Sequence, residues 1–452
     1  MTKKAHKAHT LFLVSLGCPK NLVDSEVMLG SLEKAGFRVV DSAESADLLL
    51  VNTCGFIKSA VEESIEEILA LAQYKQADPA KKLVVSGCLV QRYGDELRKE
   101  LPEVDLFIGT DGFHEIVSLL NRPAAESLRL TEPVFLMNAQ VERRVSTPSY
   151  RAYLKITEGC ANRCSYCMIP AIRGPLRSRT LADILAEAQR LADQGIKELT
   201  LVGQDLTAYG LDLGKGGPRL KNLLTELDRG CAIPWIRLLY LHPARVNAEL
   251  LETILSLPRL TPYLDIPLQH VSSRILTRMN RPYDRERIEG LLATVRQGSA
   301  HVALRTTFIV GFPGETEAEV DELAEFLVKH RFDHVGIFAY SQEEGSPAAQ
   351  LPEQLPEEVK EARRERLMEV QAEISLQNNQ KMIGRTEKVL VEGLSRETDL
   401  LLEGRTRYQA PEIDGCVYIN QGQSRSGEIV DVRITEAHAY DLVGEIVSAE
   451  RE

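Results

Sequence analysis

No apolar run in this sequence approaches the ~20 residues that a helix needs to cross a bilayer. The opening MTKKAHKAHT is basic, but the LFLVSLG behind it is too short for the apolar core of a secretion signal. The expectation is a cytoplasmic protein with no membrane contact. A basic excess is missing too. Lys and Arg number 54 against 66 Asp and Glu, a formal net charge of −12. That argues against stable nucleic-acid binding, because phosphate contacts favour basic surfaces. Low-complexity tracts and short internal repeats are absent. With 44% hydrophobic and 27% charged residues, the 452-residue chain can bury the cores of several domains. Eight cysteines in a reducing compartment do not make a disulfide framework. They are left as metal ligands, catalytic thiols or inert core residues.

Residues 10–120 alternate short apolar runs (TLFLVSLG, DLLLVNT, KLVVSG, DLFIGT) with helical patterns. Such alternation predicts an α/β domain, a parallel sheet covered by helices. Ligands of such sheets sit beyond the carboxyl ends of the strands. Cys18, Cys54 and Cys88 all follow a strand at that edge. Each alone reads as a buried, inert thiol. Three at equivalent strand ends point to a metal or redox site, provided the strands are neighbours. Strand order is not written in the sequence. Cys18 and Cys54 also precede helices, whose N-terminal dipoles would favour thiolate.

Residues 121–150, with Pro123, Pro133 and Pro148, read as a linker. Six more strands follow: AYLKITEG, ELTLVGQD, IRLLYLHP, YLDIPLQH, ALRTTFIVGF and HVGIFAYS. With helices between them they predict a partial (βα)6 barrel whose site lies at the carboxyl ends. SQEEGSPAAQLPEQLP closes that domain, and a charged helix is expected over 357–381. Beyond it, EKVLVEGL, CVYIN and SGEIVDVRI predict a small all-β barrel or sandwich. Residues 376–452 carry 9 basic and 14 acidic side chains.

The strongest motif is EGCANRCSYCMIP, with Cys160, Cys164 and Cys167 directly after the first barrel strand. Iron–sulfur clusters are usually held by four cysteines, so a three-cysteine loop leaves one iron open for reaction. The alternative is a zinc loop completed by a distant residue. Zinc sites favour paired C-x₂₋₄-C elements, and no second pair exists here. FIVGFPGET lacks the Lys and Ser/Thr of a phosphate loop, and Thr316 with Glu319 makes it a turn and capping box. His270 could be structural or functional. Arg173, Arg177 and Arg179 in IRGPLRSR read as a solvated charged face, or as a grip on an acidic group. Cys231 and Cys416 fit no pattern and read as structural.

C-x₃-C-x₂-C with Tyr166 before the last cysteine, after the first strand of a βα barrel, resembles the radical S-adenosylmethionine (SAM) enzymes. The resemblance implies a 4Fe–4S cluster whose open iron binds the amino and carboxylate groups of SAM. One electron would then cleave SAM to a radical that abstracts hydrogen from unactivated carbon. It also implies cofactor contacts at Tyr166, at Gly203, Gln204 and Asp205 of VGQD, at Gln269 of PLQH and at Gly311 of FIVGFPGET. The further combination of an N-terminal α/β domain with three separated cysteines and a small terminal β-domain resembles the methylthiotransferases. That family implies a second 4Fe–4S cluster on Cys18, Cys54 and Cys88, and a terminal OB-like barrel of the TRAM type. It implies domains at 9–122, 146–376 and 379–447.

Two branches of the family differ in substrate. One methylthiolates an adenosine of transfer RNA. The other modifies the β-carbon of an aspartate in small-subunit ribosomal protein S-twelve. SLGCPKNLVDSE, QDLTAYG, DIPLQHVSSRILTRMNRP and APEIDGCVYIN resemble the ribosomal-protein branch. An acidic terminal barrel suits a basic ribosomal protein better than RNA. The expected partners are that protein and an electron donor such as flavodoxin or ferredoxin. A zinc-stabilised RNA-binding protein is the non-enzymatic alternative.

Overall fold

The computed structural model describes residues 9–123, 126–298 and 301–447. The chain forms two compact units. The first comprises the residues up to Thr147, Tyr153–Ile184 and Ser341–Ala349. The second comprises Pro148–Ala152, Leu185–Tyr340 and the residues from Gln350 on.

The first unit is built on six strands: β1 (Thr10–Ser15), β2 (Arg38–Val39), β3 (Leu48–Thr53), β4 (Lys82–Gly87), β5 (Leu106–Ile108) and β6 (Leu128–Arg129). Their order is β2-β1-β3-β4-β5-β6, and all pairs are parallel. Helix α1 (Pro19–Lys34) links β1 to the short β2, α2 (Lys58–Ala77) links β3 to β4, α3 (Cys88–Glu100) links β4 to β5, and α4 (Ile116–Leu119) follows β5. β3 is buried along its whole length, as expected for a strand covered on both faces. One face carries Leu49 and Val51 against Leu83, Val85 and Phe107, packed with Ile68 and Leu71 of α2 and Leu89, Val90 and Leu97 of α3. Each such side chain contributes about 1.5–3 kcal/mol by leaving water. The strand order reverses between β1 and β3, the crevice where sheets of this kind bind ligands.

The stretch after β6 has no regular structure, yet it is fastened down. The Asp111 carboxylate accepts from the N–H groups of Val134 and Phe135. Buried Glu26 of α1 accepts from Arg143 at 2.6 Å and from the Ser146 N–H at 2.6 Å. A tether would leave these groups to water. Next come β7 (Arg151–Lys155), β8 (Thr157–Glu158), α5 (Ile169–Arg173), β9 (Arg177–Ser178) and α6 (Leu181–Asp193), with β8 and β9 antiparallel. The distant segment Ser341–Ala349 completes this unit. Glu343 accepts from the Lys58 N–H at the start of α2 (2.9 Å) and from Arg92 of α3 (2.7 Å). The Ala348 N–H donates to the Ser165 carbonyl at 2.8 Å.

In the second unit, β10 (Glu198–Val202) pairs in parallel with β11 (Trp235–Leu238). β12 (Tyr263–Asp265), β13 (Ala303–Val310) and β14 (His334–Ala339) form a second parallel set. These parallel strands, with helices between them, agree with the expected βα architecture. A long helix over Glu357–Gln380 leads to a closed barrel. Its strands are β15 (Thr386–Leu394), β16 (Leu402–Thr406), β17 (Val417–Gln421), β18 (Ile429–Ala437) and β19 (Leu442–Ile446), in the order β15-β16-β17-β19-β18. Its core is Val389, Val391, Val417, Ile419, Val432, Ile434 and Leu442. A five-stranded closed barrel of this kind is OB-like, as expected. No described helix is long and apolar enough to cross a membrane.

Candidate active site

The three strand-end cysteines sit on adjacent strands. Ser15 of β1 pairs with Asn52 of β3, and Thr53 pairs with Gly87 of β4. Cys54 and Cys88 therefore lie one residue beyond a paired register. Cys18 caps α1, Cys54 precedes α2, and Cys88 is the first residue of α3. Gly17, at φ +86°, brings the tip of β1 against that of β3. A Cβ there would stand 2.8 Å from the Cys54 Cβ and 3.1 Å from its Sγ. Gly87, at φ +106°, turns directly from strand to helix where a Cβ would meet the Thr53 carbonyl at 2.6 Å. Only glycine fits either position. Asn52 donates to the Asn21 carbonyl and to Ser25 Oγ, each at 2.8 Å, holding α1 against β3.

A second group of residues packs onto these thiols. Arg173, at the end of α5, is buried, with 2% of its surface exposed. Its Nη2 donates to Cys88 Sγ at 3.3 Å and to Asn21 Oδ1 at 3.0 Å. Its Nη1 pairs with Asp24 at 2.5 Å and reaches Glu158 at 3.5 Å. Lys155 pairs with the same two carboxylates, Glu158 at 2.6 Å. The expected solvated face is corrected here: Arg173 and Arg179 are buried. The charged run conceals partners that lie far away in the chain.

The thiols differ in character. Burial alone would raise Cys18, but the charges of Lys20 and Arg173 and the N–H groups of Asn21 and Lys20 bring it below its ordinary value. Burial and the neighbouring Cys88 charge push Cys54 up to about 12. Burial outweighs Arg173 and raises Cys88 as well. The thiolate expected at Cys54 from its helix is therefore overruled by burial. Burial thus disfavours the charged form of Cys54 and Cys88, a cost that added positive charge would offset. Metal coordination supplies that charge and deprotonates thiols outright. The donor set thus fits a metal–sulfur centre. Among the described residues, no group of three or more His, Cys, Asp and Glu side chains is placed to hold a single metal ion.

Cys160, Cys164 and Cys167 lie in the loop between β8 and α5, all partly exposed. The Cys167 N–H donates to the Cys164 carbonyl at 3.2 Å, and the Asn162 N–H points at Cys160 Sγ at 3.4 Å. The Cys160 N–H is anchored on the Gly174 carbonyl at 3.1 Å, beyond α5. Tyr166 sits in the same loop, half-buried. The other residues expected to touch SAM belong to the second unit, at the carboxyl ends of its strands. Gly203, Gln204 and Asp205 follow β10, and Asp205 is buried against Arg245 at 2.6 Å. Gln269 follows β12 at φ +70°, bridging to β13 through Thr307 and Ile309. Gly311 follows β13. The space a Cβ would fill is taken by Lys360, and its N–H donates to Glu315 at 2.7 Å. Thr316 and Glu319 form the expected capping box. His270 is fully buried, with its Nε2 3.1 Å from Glu315.

Sequence reasoning passed over Arg173 as a contact of the thiols, and Asp24, Lys155 and Glu158 with it. The available signal was an ionic residue at each border of a cysteine motif: Asp24 after Cys18, Glu158 before Cys160. His242, after β11, was missed as well. Burial, then Arg281 and Arg245, push it down to about 2, so it is neutral.

Residues 10–109 match the family described as Uncharacterized protein family UPF0004, 154–327 the Radical SAM superfamily, and 383–447 the TRAM domain. The chain is 56% identical to the ribosomal protein uS12 methylthiotransferase RimO of Desulfotalea psychrophila, over 97% of this chain and 99% of that one. This chain belongs to the uS12 methylthiotransferase RimO family. It is 48% identical to the Geobacter sulfurreducens member, over 96% and 98% of the two chains. The resemblance drawn from the motifs is borne out down to the branch. Among solved structures, the fold is similar to the radical SAM methyltransferase TsrM of Kitasatospora setae, with TM-score 0.56 and 18% identity over 74% of this chain and 73% of that one.

Proposed function

We infer that the enzyme attaches a methylthio group to the β-carbon of an aspartate in ribosomal protein uS12. What carries this reading is kinship over nearly the whole chain with uS12 methylthiotransferases. It is joined to three thiols on adjacent strand tips. Cys160, Cys164 and Cys167 would hold one 4Fe–4S cluster, and Cys18, Cys54 and Cys88 the other. When bound, the clusters and SAM supply the electron, the radical, the sulfur and the methyl group.

The chain's own residues bind, orient and exclude water. Asn21, Asn52 and Ser25 fix the strand tips that carry the first three thiols. The anchored loop of the second set keeps its thiols accessible. Tyr166, Gly203, Gln204, Asp205, Gln269 and Gly311 are proposed to contact SAM; at Gly311 the support is weakest, because Lys360 already accounts for the missing side chain. Domain limits at 9–122, 146–376 and 379–447 go with this reading. So do an acidic terminal barrel that receives basic uS12, a flavodoxin or ferredoxin as electron donor, and a place in the cytoplasm.

Mass spectrometry of uS12 and of transfer-RNA nucleosides from a deletion strain tests the substrate. Loss of a methylthio mark from uS12 alone is expected, and loss from transfer RNA alone would overturn the assignment. Anaerobic reconstitution should give about eight irons per chain, as two four-iron clusters require. Zinc without acid-labile sulfide would instead favour the RNA-binding alternative.

A further inference from the structure

Arg173 belongs to the loop and helix that follow Cys160, Cys164 and Cys167, yet its side chain ends on a thiol of the other set. Its two edges are used differently. The Nη1 edge meets Asp24 and Glu158, which also share Lys155, so two cations and two carboxylates close a neutral buried quartet. The Nη2 edge is left for Asn21 Oδ1 and Cys88 Sγ. A planar guanidinium serves both edges at once, and a lysine ammonium cannot. Asn21 is itself held by donating to the Leu16 carbonyl at 2.7 Å, so the Nη2 edge has little room to move.

Hydrogen bonds to a cluster's sulfurs, its net charge and its exposure set its reduction potential. Arg173 supplies two of these terms at Cys88 and, being buried, is shielded from screening by salt. We propose that Arg173 is a positioning residue that raises the reduction potential of the cluster on Cys18, Cys54 and Cys88, from within the loop that carries the other cysteine set. It is not a ligand. The proposal rests on the ligand assignment above.

The test uses the full chain carrying C160A, C164A and C167A, reconstituted with iron and sulfide so that only one cluster is present. EPR-monitored redox titration then reads that cluster's midpoint potential. Iron content should be about four per chain. No iron in this parent would sink the ligand assignment, whatever Arg173 does. With iron present, R173M should titrate at a clearly more negative potential, and R173K should fall between. E158Q removes one carboxylate of the same quartet without touching Cys88, so any shift it causes should be towards more positive potential. An unchanged potential in R173M, or a negative shift in E158Q as large as that in R173M, would overturn the proposal. If R173M fails to load iron, R173K decides alone. A potential equal to the parent's would then overturn it, because a lysine cannot hold both edges.

Discussion

The two cysteine sets are built by opposite routes. Cys160, Cys164 and Cys167 are neighbours in sequence, lie on one loop and stay partly exposed. Cys18, Cys54 and Cys88 follow three separate strands and come to one sheet edge only because β1, β3 and β4 are adjacent and in register. The loop set carries its geometry in its spacing. The strand set carries its geometry in the whole sheet, and so it depends on residues that no motif contains. The loop suits a centre that must receive a substrate-sized cofactor, and the sheet suits one that must be kept in place.

The sharpest way to break the comparison is to remove one set at a time. Replacing Cys18, Cys54 and Cys88 with alanine should leave about four irons and retain SAM cleavage, while abolishing methylthiolation. Replacing the loop set should abolish both reactions. Iron counts and product assays on the two triple variants decide this.

Next in size is Gly17→Val. It forces a β-branched residue to φ +86° and drives a Cβ into Cys54. The strand set should lose its iron and the loop set keep it, leaving about half the iron of the parent.

Third, Glu26→Ala leaves Arg143 buried without its carboxylate. Loss of one partner of a buried pair costs about 3–5 kcal/mol. Denaturant unfolding of the first unit should show it, and Arg143→Ala should cost a similar amount.

A fourth test concerns the second unit. Burial would raise Glu198, but Arg405 and Arg237 outweigh it and hold the carboxyl at about 2. A lowered folded pKa means stability that is present above the unfolded value of ~4.3. It is lost as pH falls from there towards 2. Thermal melts of E198Q should therefore show a lower melting temperature at neutral pH and a shallower acid limb. An acid limb equal to that of the parent would show that Glu198 contributes nothing to it.

The smallest effect belongs to Lys58→Ala. Lys58 begins α2 near Cys54, but it is 79% exposed and pairs only loosely with Glu62 at 3.6 Å. Exposed pairs contribute ~0–1 kcal/mol. Iron content and cluster potential should not change, unlike in R173M.

These contrasts also mark what could be seen in the residues alone. Alternation of apolar runs located the strand tips, and C-x₃-C-x₂-C located the loop set, because both signals are local. Strand order is non-local, so adjacency of Cys18, Cys54 and Cys88 had to wait for β2-β1-β3-β4. Arg173 looked solvated because IRGPLRSR is a charged run. Its partner Asp24 is 149 residues away. Ser341–Ala349 looked like a closing linker because serine, glycine and proline dominate turns. Its Glu343 instead reaches the start of α2, 285 residues away.

That last contact has a meaning for the nascent chain. All six thiols have been made once Cys167 is added, but Glu343 and Ala348, which hold Lys58, Arg92 and Ser165 near the two cysteine sets in sequence, come much later. At ~5–20 residues per second, synthesis from Cys167 to Ala349 takes about 10–40 s. The order of translation therefore leaves an interval in which both cysteine sets exist before the contacts at Lys58, Arg92 and Ser165 can form.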